Sequence, residues 1–232
     1  MTSPERGPAT APAWHTLVFL LAVTLVAVRE ALRSPIYEWP VTLAAPHARL
    51  TLYLEVLALQ VFWVGFVWLG VRRVTSLRAL VDRSPWSPRG WLRYLGIGLA
   101  GWIVYLALGA LLSTLLRPSA DALRGLQAML PHSRAEKVLW VAFALAAGVG
   151  EEIVYRGYLL RQFRSFTGSA ALAVILQALF YTSIHLILPA WMLPGILLLG
   201  LLLGVIAVWQ KSLVPGMVLH TCVGLAALLQ PA

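Results

Sequence analysis

Two adjacent glutamates, Glu151 and Glu152, lie inside an apolar segment of the chain. A charged side chain at the centre of a membrane helix costs about 2.5–3.5 kcal/mol on insertion scales, so an ionisable residue there indicates a functional site. Arg156 follows Glu152 by four residues, which is the favourable order and spacing for an ion pair along a helix. We therefore predict that Arg156 neutralises Glu152.

Glu151 differs from its neighbour because no cation stands three or four residues away from it. On a helix with 3.6 residues per turn, its side chain points about 100° away from that of Glu152. A carboxylate without a local partner can act as a general base that takes a proton from water. The pattern predicts that Glu151 carries the chemistry; the alternative is that both glutamates form a solvated helix end at the membrane interface.

Two histidines occur in later apolar segments. Gln177, Tyr181 and His185 follow one another at intervals of four residues and share one face of a helix. Pro215 suits a helix start, and His220 comes about one and a half turns later. Each histidine alone is also typical of a hydrogen bond between two membrane helices.

Glu151, His185 and His220 together have the chemistry that amide hydrolysis needs, which is a base to activate water and donors to hold the tetrahedral oxyanion. The same residue types also form hydrolytic zinc sites, with these three as ligands. A third interpretation is a catalytically silent membrane protein, either a binding or immunity factor or a proton-coupled carrier that uses Glu and His as a relay.

Membrane helices must position these residues. Of the 232 residues, 60% are hydrophobic and 12% are charged, whereas soluble domains carry about 25% charged residues. The formal net charge is +9, but the basic residues lie between apolar runs, so they indicate topology and headgroup contacts and not nucleic-acid binding. The single cysteine, Cys222, excludes an intramolecular disulfide and a Cys-based zinc site.

A membrane-spanning helix needs about 20 apolar residues, and seven segments meet this requirement. The sequence therefore predicts an all-α, polytopic transmembrane helical bundle of about seven spans, within a range of about six to eight. The predicted spans are residues 12–31, 50–71, 94–116, 138–157, 170–188, 190–208 and 213–229.

The candidate residues divide the chain unevenly. Residues 1–137 hold N-terminal spans and loops without a motif, and residues 138–229 hold the candidate catalytic core of a single membrane domain. With the N-terminus inside, ten Lys or Arg residues would face the cytoplasm and seven the outside. The positive-inside rule predicts this orientation.

The first motif resembles that of the CPBP family of intramembrane proteases, which includes CAAX-processing, Ras-converting proteases and bacterial proteins linked to bacteriocin self-immunity. The family pattern is Glu-Glu-x-x-x-Arg, then an aromatic residue with His four positions later, then His-x-x-x-Asn. Glu151 to Arg156, with Gly157 after it, matches the first part in full. The similarity extends over roughly residues 138–229.

The second and third motifs match with two departures. Tyr181 and His185 form the aromatic and His pair, but Tyr stands where Phe is usual. His220 matches the third motif, but Gly224 stands where the family commonly has Asn. Loss of one oxyanion donor costs on the order of 10²–10³ in rate in a soluble protease, so water, Thr221 or a backbone group must substitute, or the site is built differently.

The resemblance implies an intramembrane endopeptidase that cuts near the C-terminal, membrane-anchored end of a lipidated protein or peptide. By position, Glu151 and His185 would activate water, His220 would hold the oxyanion, and Glu152 with Arg156 would form a supporting pair. The remaining pocket residues would be Tyr181, Thr221 and Gly224. The family implies no cofactor, and its bacterial members suggest an integral protein of the bacterial cytoplasmic membrane, with the bilayer as its surroundings.

Two features stand against simple versions of these hypotheses. The His-Glu-x-x-His spacing that places two zinc ligands on one helix face is absent, and Arg156 would repel a cation. The predicted spans also put Glu151 and His220 about 10 Å below the membrane surface but His185 about 22 Å below it. Since residues of one site must lie at one depth, we expect an error in the start of the fifth span.

Overall fold

The computed structural model describes residues 9–33, 42–45, 47–82, 87–117 and 119–229. Within these ranges the chain is helical, apart from an isolated antiparallel bridge between Asp82 and Ser212. The α-helices are α1 (Ala13–Arg33), α2 (Ala48–Val71), α3 (Leu77–Val81), α4 (Pro88–Leu116), α5 (Ala120–Met129), α6 (Arg134–Glu151), α7 (Leu160–Thr167), α8 (Ala170–Ser183), α9 (Leu193–Gln210) and α10 (Val214–Ala226). The predicted all-α bundle is confirmed.

The predicted spans correspond to helices of two lengths. Among the described residues, five helical segments are long and apolar enough to cross a membrane: Ala13–Leu32, Ala48–Val71, Pro88–Leu116, Arg134–Thr167 and Ala190–Gln210. The other two apolar segments, Ala170–Ser183 and Val214–Leu229, are shorter. The 14 residues of α8 extend only about 21 Å, which is less than the hydrocarbon thickness of about 30 Å.

The fourth span is much longer than the predicted range 138–157. It begins at a capping box in which the Ser133 hydroxyl accepts from the Glu136 amide and the Glu136 carboxylate accepts from the Ser133 amide. It continues through a π-helical segment, Glu152–Leu159, directly into α7. It ends at Gly168, whose φ of 71° is readily adopted only by glycine.

The helix α6 lies at the centre of the bundle. It packs against α2 on one side and α10 on the other, and α10 in turn packs against α4. On another side, α8 packs against α7 and α9. The helices α2, α6, α8 and α10 therefore surround the segment that carries the two adjacent glutamates.

The first helix joins the bundle through aromatic and polar side chains. Phe19 is fully buried and makes edge contacts with the rings of Trp63 and Tyr158, at centroid distances of 5.3 and 5.8 Å. His15 is also buried, and its ring stacks on Phe66. The predicted first span is thus an integral part of the fold.

Candidate active site

The glutamates stand at the junction between α6 and the π-helical segment. All eight residues from Glu152 to Leu159 are buried. A π-helix closes its hydrogen bonds over five residues and occurs mainly as single turns, frequently at functional sites. The expectation of 3.6 residues per turn therefore does not hold for residues 152–159, whereas Glu151 and Glu152 themselves keep α-helical φ and ψ angles.

Glu152 and Arg156 form the ion pair that their spacing indicates. Nη1 of Arg156 donates to Oε1 of Glu152 at 2.9 Å, and both side chains are fully buried. The guanidinium also lies over the ring of Tyr181, 4.5 Å from its centroid, where a cation is attracted to the aromatic face. A Cβ at Gly216 would lie 2.9 Å from Oε2 of Glu152, so glycine there lets α10 approach the carboxylate.

Glu151 has a partner that the sequence analysis missed. Nε2 of Gln60, on α2, donates to Oε1 of Glu151 at 2.7 Å. The other carboxylate oxygen, Oε2, has no hydrogen-bond partner among the described residues. The expectation that no cation stands near Glu151 along its own helix concerns local contacts, whereas Gln60 is a partner from another helix. The signal in the sequence was a side-chain amide inside the apolar segment 50–71.

His220 lies between the two carboxylates. Its Nδ1 is 3.1 Å from Oε1 of Glu152, and its Nε2 is 3.7 Å from Oε2 of Glu151. The hydroxyl of Tyr181 is 3.4 Å from the same Nε2. Because a carboxylate only accepts, Nδ1 of His220 carries the proton in the contact with Glu152. The side of the ring bearing Nε2 therefore faces Glu151 and Tyr181.

His185 lies just after α8, in the turn that follows Ser183, and not within a helix ending at residue 188 as predicted. Its Nδ1 donates to the backbone oxygen of Tyr181 at 2.8 Å, which leaves Nε2 as the nitrogen available to a ligand. The rings of His185 and His220 both lie beside the ring of Tyr181, with centroid distances of 4.7 and 6.1 Å, and His220 in turn lies 3.7 Å from Glu151. The three residues therefore lie near one level of the bundle.

The difference in predicted depth has a simple origin. The fifth helix begins at Ala170, as predicted, so its start was not the error. The error lies in the fourth span, which continues ten residues beyond Gly157 to Thr167. Those ten residues extend about 15 Å, so Ala170 starts that much farther out and His185 comes to the level of Glu151.

Gln177, Thr221 and Gly224 lie at contacts between helices. Nε2 of Gln177 donates to the backbone oxygen of Gly200 on α9 at 2.8 Å, and the residue is fully buried. Thr221 packs directly on Gly148 of α6. These contacts join α8 to α9 and α10 to α6.

Position 224 is tightly enclosed by α6. A Cβ at Gly224 would lie 2.9 Å from the Cβ of Ala144, and Nε1 of Trp140 donates to the Gly224 backbone oxygen at 2.9 Å. An asparagine side chain does not fit here without a shift of one helix. The departure from the family pattern therefore has a packing reason in this chain.

The candidate residues do not form an evident metal site. Among the residues that the structure describes, no group of three His, Cys, Asp or Glu side chains is arranged to hold a metal ion. Nδ1 of His220 faces Glu152, whose carboxylate is shared with Arg156. In the described part of the chain, Glu151, His185 and His220 are thus not arranged as a three-ligand zinc centre.

The chain was compared with known proteins at the level of family, sequence and structure. No curated protein and no solved structure matches it. Residues 134–226 match the model of the Rce1-like family, described as "Type II CAAX prenyl endopeptidase Rce1-like". This range includes Glu151, His185 and His220. The match confirms the resemblance of the motif-bearing part of the chain to the CPBP family of CAAX-processing intramembrane proteases.

Proposed function

We propose that the chain is an intramembrane endopeptidase that hydrolyses a peptide bond near the C-terminal, membrane-anchored end of its substrates. The observation that carries this proposal is the array in which His220 lies between Glu151 and Glu152. A free carboxylate oxygen, an imidazole edge and a phenolic hydroxyl meet at one point inside an apolar bundle. These are the groups that activate water and stabilise a tetrahedral intermediate.

The two oxygens of Glu151 have different tasks in this proposal. Oε1 is held by the amide of Gln60, and Oε2 has no hydrogen-bond partner among the described residues. Oε2 takes one proton from water, while Nε2 of His185 accepts a hydrogen bond from the hydrogen that stays on the water oxygen. The hydroxide then attacks the carbonyl carbon of the substrate.

His220 stabilises the resulting oxyanion. Two carboxylates and the single Arg156 leave one negative charge, which a His220 protonated on both nitrogens balances. Its Nδ1–H is held by Glu152, and its Nε2–H donates to the oxyanion. When the carbon–nitrogen bond breaks, Glu151 returns its proton to the leaving nitrogen, which yields a carboxylic acid and a released amine. The acid then gives its proton to the released amine, which leaves a carboxylate and an ammonium group.

Tyr181 supplies a second donor. The family pattern usually has Phe here and Asn at the position of Gly224, so this chain gains a hydroxyl and loses an amide. The hydroxyl lies 3.4 Å from Nε2 of His220, beside the atom that would hold the oxyanion. We assign to it the donor role of the missing asparagine.

The family description supports a prenylated, membrane-anchored substrate. A CAAX sequence places a prenylated cysteine three residues before the C-terminus. We propose that such a tail enters the bundle from the bilayer, with the lipid in the hydrocarbon and the scissile bond at Glu151. No resident cofactor takes part in this reaction.

The test is hydrolysis of a farnesylated peptide that ends in three residues after the cysteine, by purified protein in lipid nanodiscs. We expect cleavage by the natural chain and a loss of at least about 10³-fold with Glu151→Gln, because the amide cannot take a proton from water. Glu55→Gln is the matched control, since Glu55 is an exposed glutamate on α2. Activity that persists in a chelator supports the metal-free mechanism.

Two outcomes would contradict the proposal. Undiminished cleavage by Glu151→Gln would remove Glu151 as the base, and loss of activity on chelation that zinc restores would favour the zinc protease. A correctly folded natural chain that cleaves neither the farnesylated peptide nor the same peptide without its lipid would favour the non-catalytic binding factor or the carrier.

A further inference from the structure

A cavity lies beside the candidate active site, where several helices end at the same face of the bundle. Its volume is about 380 Å³. Thr10 comes from the start of α1, Thr75 follows the end of α2, and Lys211 follows the end of α9. Part of its wall is apolar, formed by side chains that include Leu160, Val208 and Leu213.

The charged side chains that line this cavity are all cationic among the described residues. They are Arg156, Arg161, Arg164 and Lys211. One further carboxylate, Asp82, accepts a hydrogen bond from the wall residue Ser212. Arg156 is already paired with Glu152, so the other three cations exceed the single negative charge of Asp82.

Arg156 provides an independent sign of an absent partner. Its side chain is fully buried, yet Nε and Nη2 have no hydrogen-bond partner in the described part of the chain. Buried donors are almost always satisfied, because an unsatisfied charged donor costs free energy. A guanidinium with open donors on the wall of a cationic cavity is suited to an oxyanion such as phosphate.

Exposed tryptophans place the cavity near the membrane surface. They lie at the start of α1, near the end of α2, at the start of α4 and at the end of α9, and are Trp14, Trp68, Trp91 and Trp209. In antiparallel consecutive spans, these four helix ends belong to one face. Tryptophans are enriched at the level of lipid headgroups, which is where the phosphates of the bilayer also lie.

We propose that this cavity binds the phosphate of an anionic phospholipid. Arg164 and Lys211 are exposed and hold the phosphate at the mouth, and the apolar wall contacts the upper part of the lipid. Arg161 is itself held by the backbone oxygens of Ala79 and Leu80, so it extends the positive field from a fixed position. Basic pockets between helix ends are a known mode of headgroup binding.

The test measures lipid binding and does not depend on proteolysis. Native mass spectrometry of the purified full chain gives dissociation constants for dioleoylphosphatidylglycerol and dioleoylphosphatidylcholine. We expect phosphatidylglycerol to bind at least about tenfold more tightly, and the double change Arg164→Gln with Lys211→Asn to weaken that binding about thirtyfold. Asn tolerates the left-handed backbone of position 211, where φ is 53°.

Two further variants make the result specific. Arg134→Gln with Lys137→Gln removes the same charge from exposed residues at the opposite end of the fourth span, and we expect unchanged affinity. Arg164→Lys with Lys211→Arg keeps both charges and should also retain binding. Each variant is checked for monodisperse elution and natural thermal stability.

Three outcomes would overturn the proposal: equal affinity for both lipids, equal losses in the pocket and control variants, or a pocket variant that binds as tightly as the natural chain. In the last experiment, inorganic phosphate and glycerol 3-phosphate compete with the lipid for the site. Displacement of the lipid by either soluble anion at concentrations near those of the lipid would assign the site to a free phosphate and not to a headgroup.

Discussion

The proposed chemistry depends on a single hydroxyl group, that of Tyr181. It differs from phenylalanine by one oxygen, and that oxygen lies beside Nε2 of His220. The same ring also covers the guanidinium of Arg156. In the proposed mechanism, a single side chain therefore contributes a donor to the oxyanion and an aromatic face to the ion pair of Glu152 and Arg156.

Replacing Tyr181 with Phe separates these two contributions, because the ring remains and only the hydroxyl is lost. We expect kcat to fall about 10²-fold, as for loss of one oxyanion donor, while KM stays unchanged. Steady-state kinetics on the farnesylated peptide measure both constants. Tyr105→Phe, a change on the separate helix α4, serves as the control. An unchanged kcat for Tyr181→Phe would show that the hydroxyl has no part in the reaction.

In the proposed mechanism, Gln60 acts through Glu151 as a positioning residue. Gln60→Leu has nearly the same volume but no donor, so Oε1 of Glu151 loses its hydrogen bond and the carboxylate can rotate. We expect at least about a tenfold loss in kcat, little change in KM, and natural thermal stability. The exposed Glu55 on the same helix, changed to Gln, provides the comparison. If Gln60→Leu lowered thermal stability together with kcat, the result would indicate that Gln60 has only a structural role.

At the scale of elements, the π-helical segment and the neighbouring glycines decide how closely the helices approach. The segment carries Glu152 and Arg156 in a fully buried stretch, and α10 reaches it through Gly216. Farther along, α10 packs on α6 at Gly148 and Gly224. Small residues at such contacts are the usual means by which membrane helices pack closely.

The packing at Gly224 leads to a stability prediction. Gly224→Ala would place a Cβ within 2.9 Å of the Cβ of Ala144, so α10 must move away from α6. We expect a loss of about 1–3 kcal/mol in the free energy of unfolding, as for an overpacked core. Gly109→Ala is the matched change, because a Cβ there meets nothing within 4 Å, and its expected effect is neutral or stabilising by about 0.5–1 kcal/mol. Thermal unfolding in detergent compares the two; equal stabilities would contradict the close contact.

At the scale of the whole molecule, a buried network of hydrogen bonds joins α1 to the end of the fourth span. The amide of Gln162 donates to the Thr16 hydroxyl, which bonds to the Tyr158 hydroxyl. Tyr158 bonds in turn to Nδ1 of His15, while Nε2 of His15 bonds to the backbone oxygen of Phe66. Because a carbonyl only accepts, Nε2 carries the proton, and Tyr158 donates to Nδ1.

Gln162 is the key member of this network, since its carbonyl oxygen also accepts from the amides of Thr10 and Ala11. Gln162→Met keeps the approximate volume and leaves these buried groups unpaired. We expect a loss of about 2–4 kcal/mol in the free energy of unfolding, from more than one unsatisfied group. The control is Gln127→Met, at an exposed position on α5. A Gln162 variant as stable as this control would show that α1 is held by its apolar contacts alone.

Much of the architecture follows from the sequence because its signals are local. Hydropathy over about 20 residues indicates a membrane helix whatever its neighbours are, and the ion pair between Glu152 and Arg156 needs only its spacing on one turn. Residue type and spacing likewise singled out Glu151, His185 and His220 as candidates. Their catalytic roles, the domain division and the N-terminus-inside orientation remain predictions.

Tertiary structure decided which of these groups touch. Gln60 lies 91 residues from Glu151, and His220 lies 68 residues from Glu152. Such contacts depend on how closely α2 and α10 approach α6, which no local pattern encodes. The length of the fourth span could not be predicted from hydropathy either, because its polar end, α7, is stabilised by buried partners on other helices and not by hydrophobicity. Helical spacing in the sequence thus identified the candidate residues. The distances between their side chains were set by the packing of helices that lie far apart in the sequence.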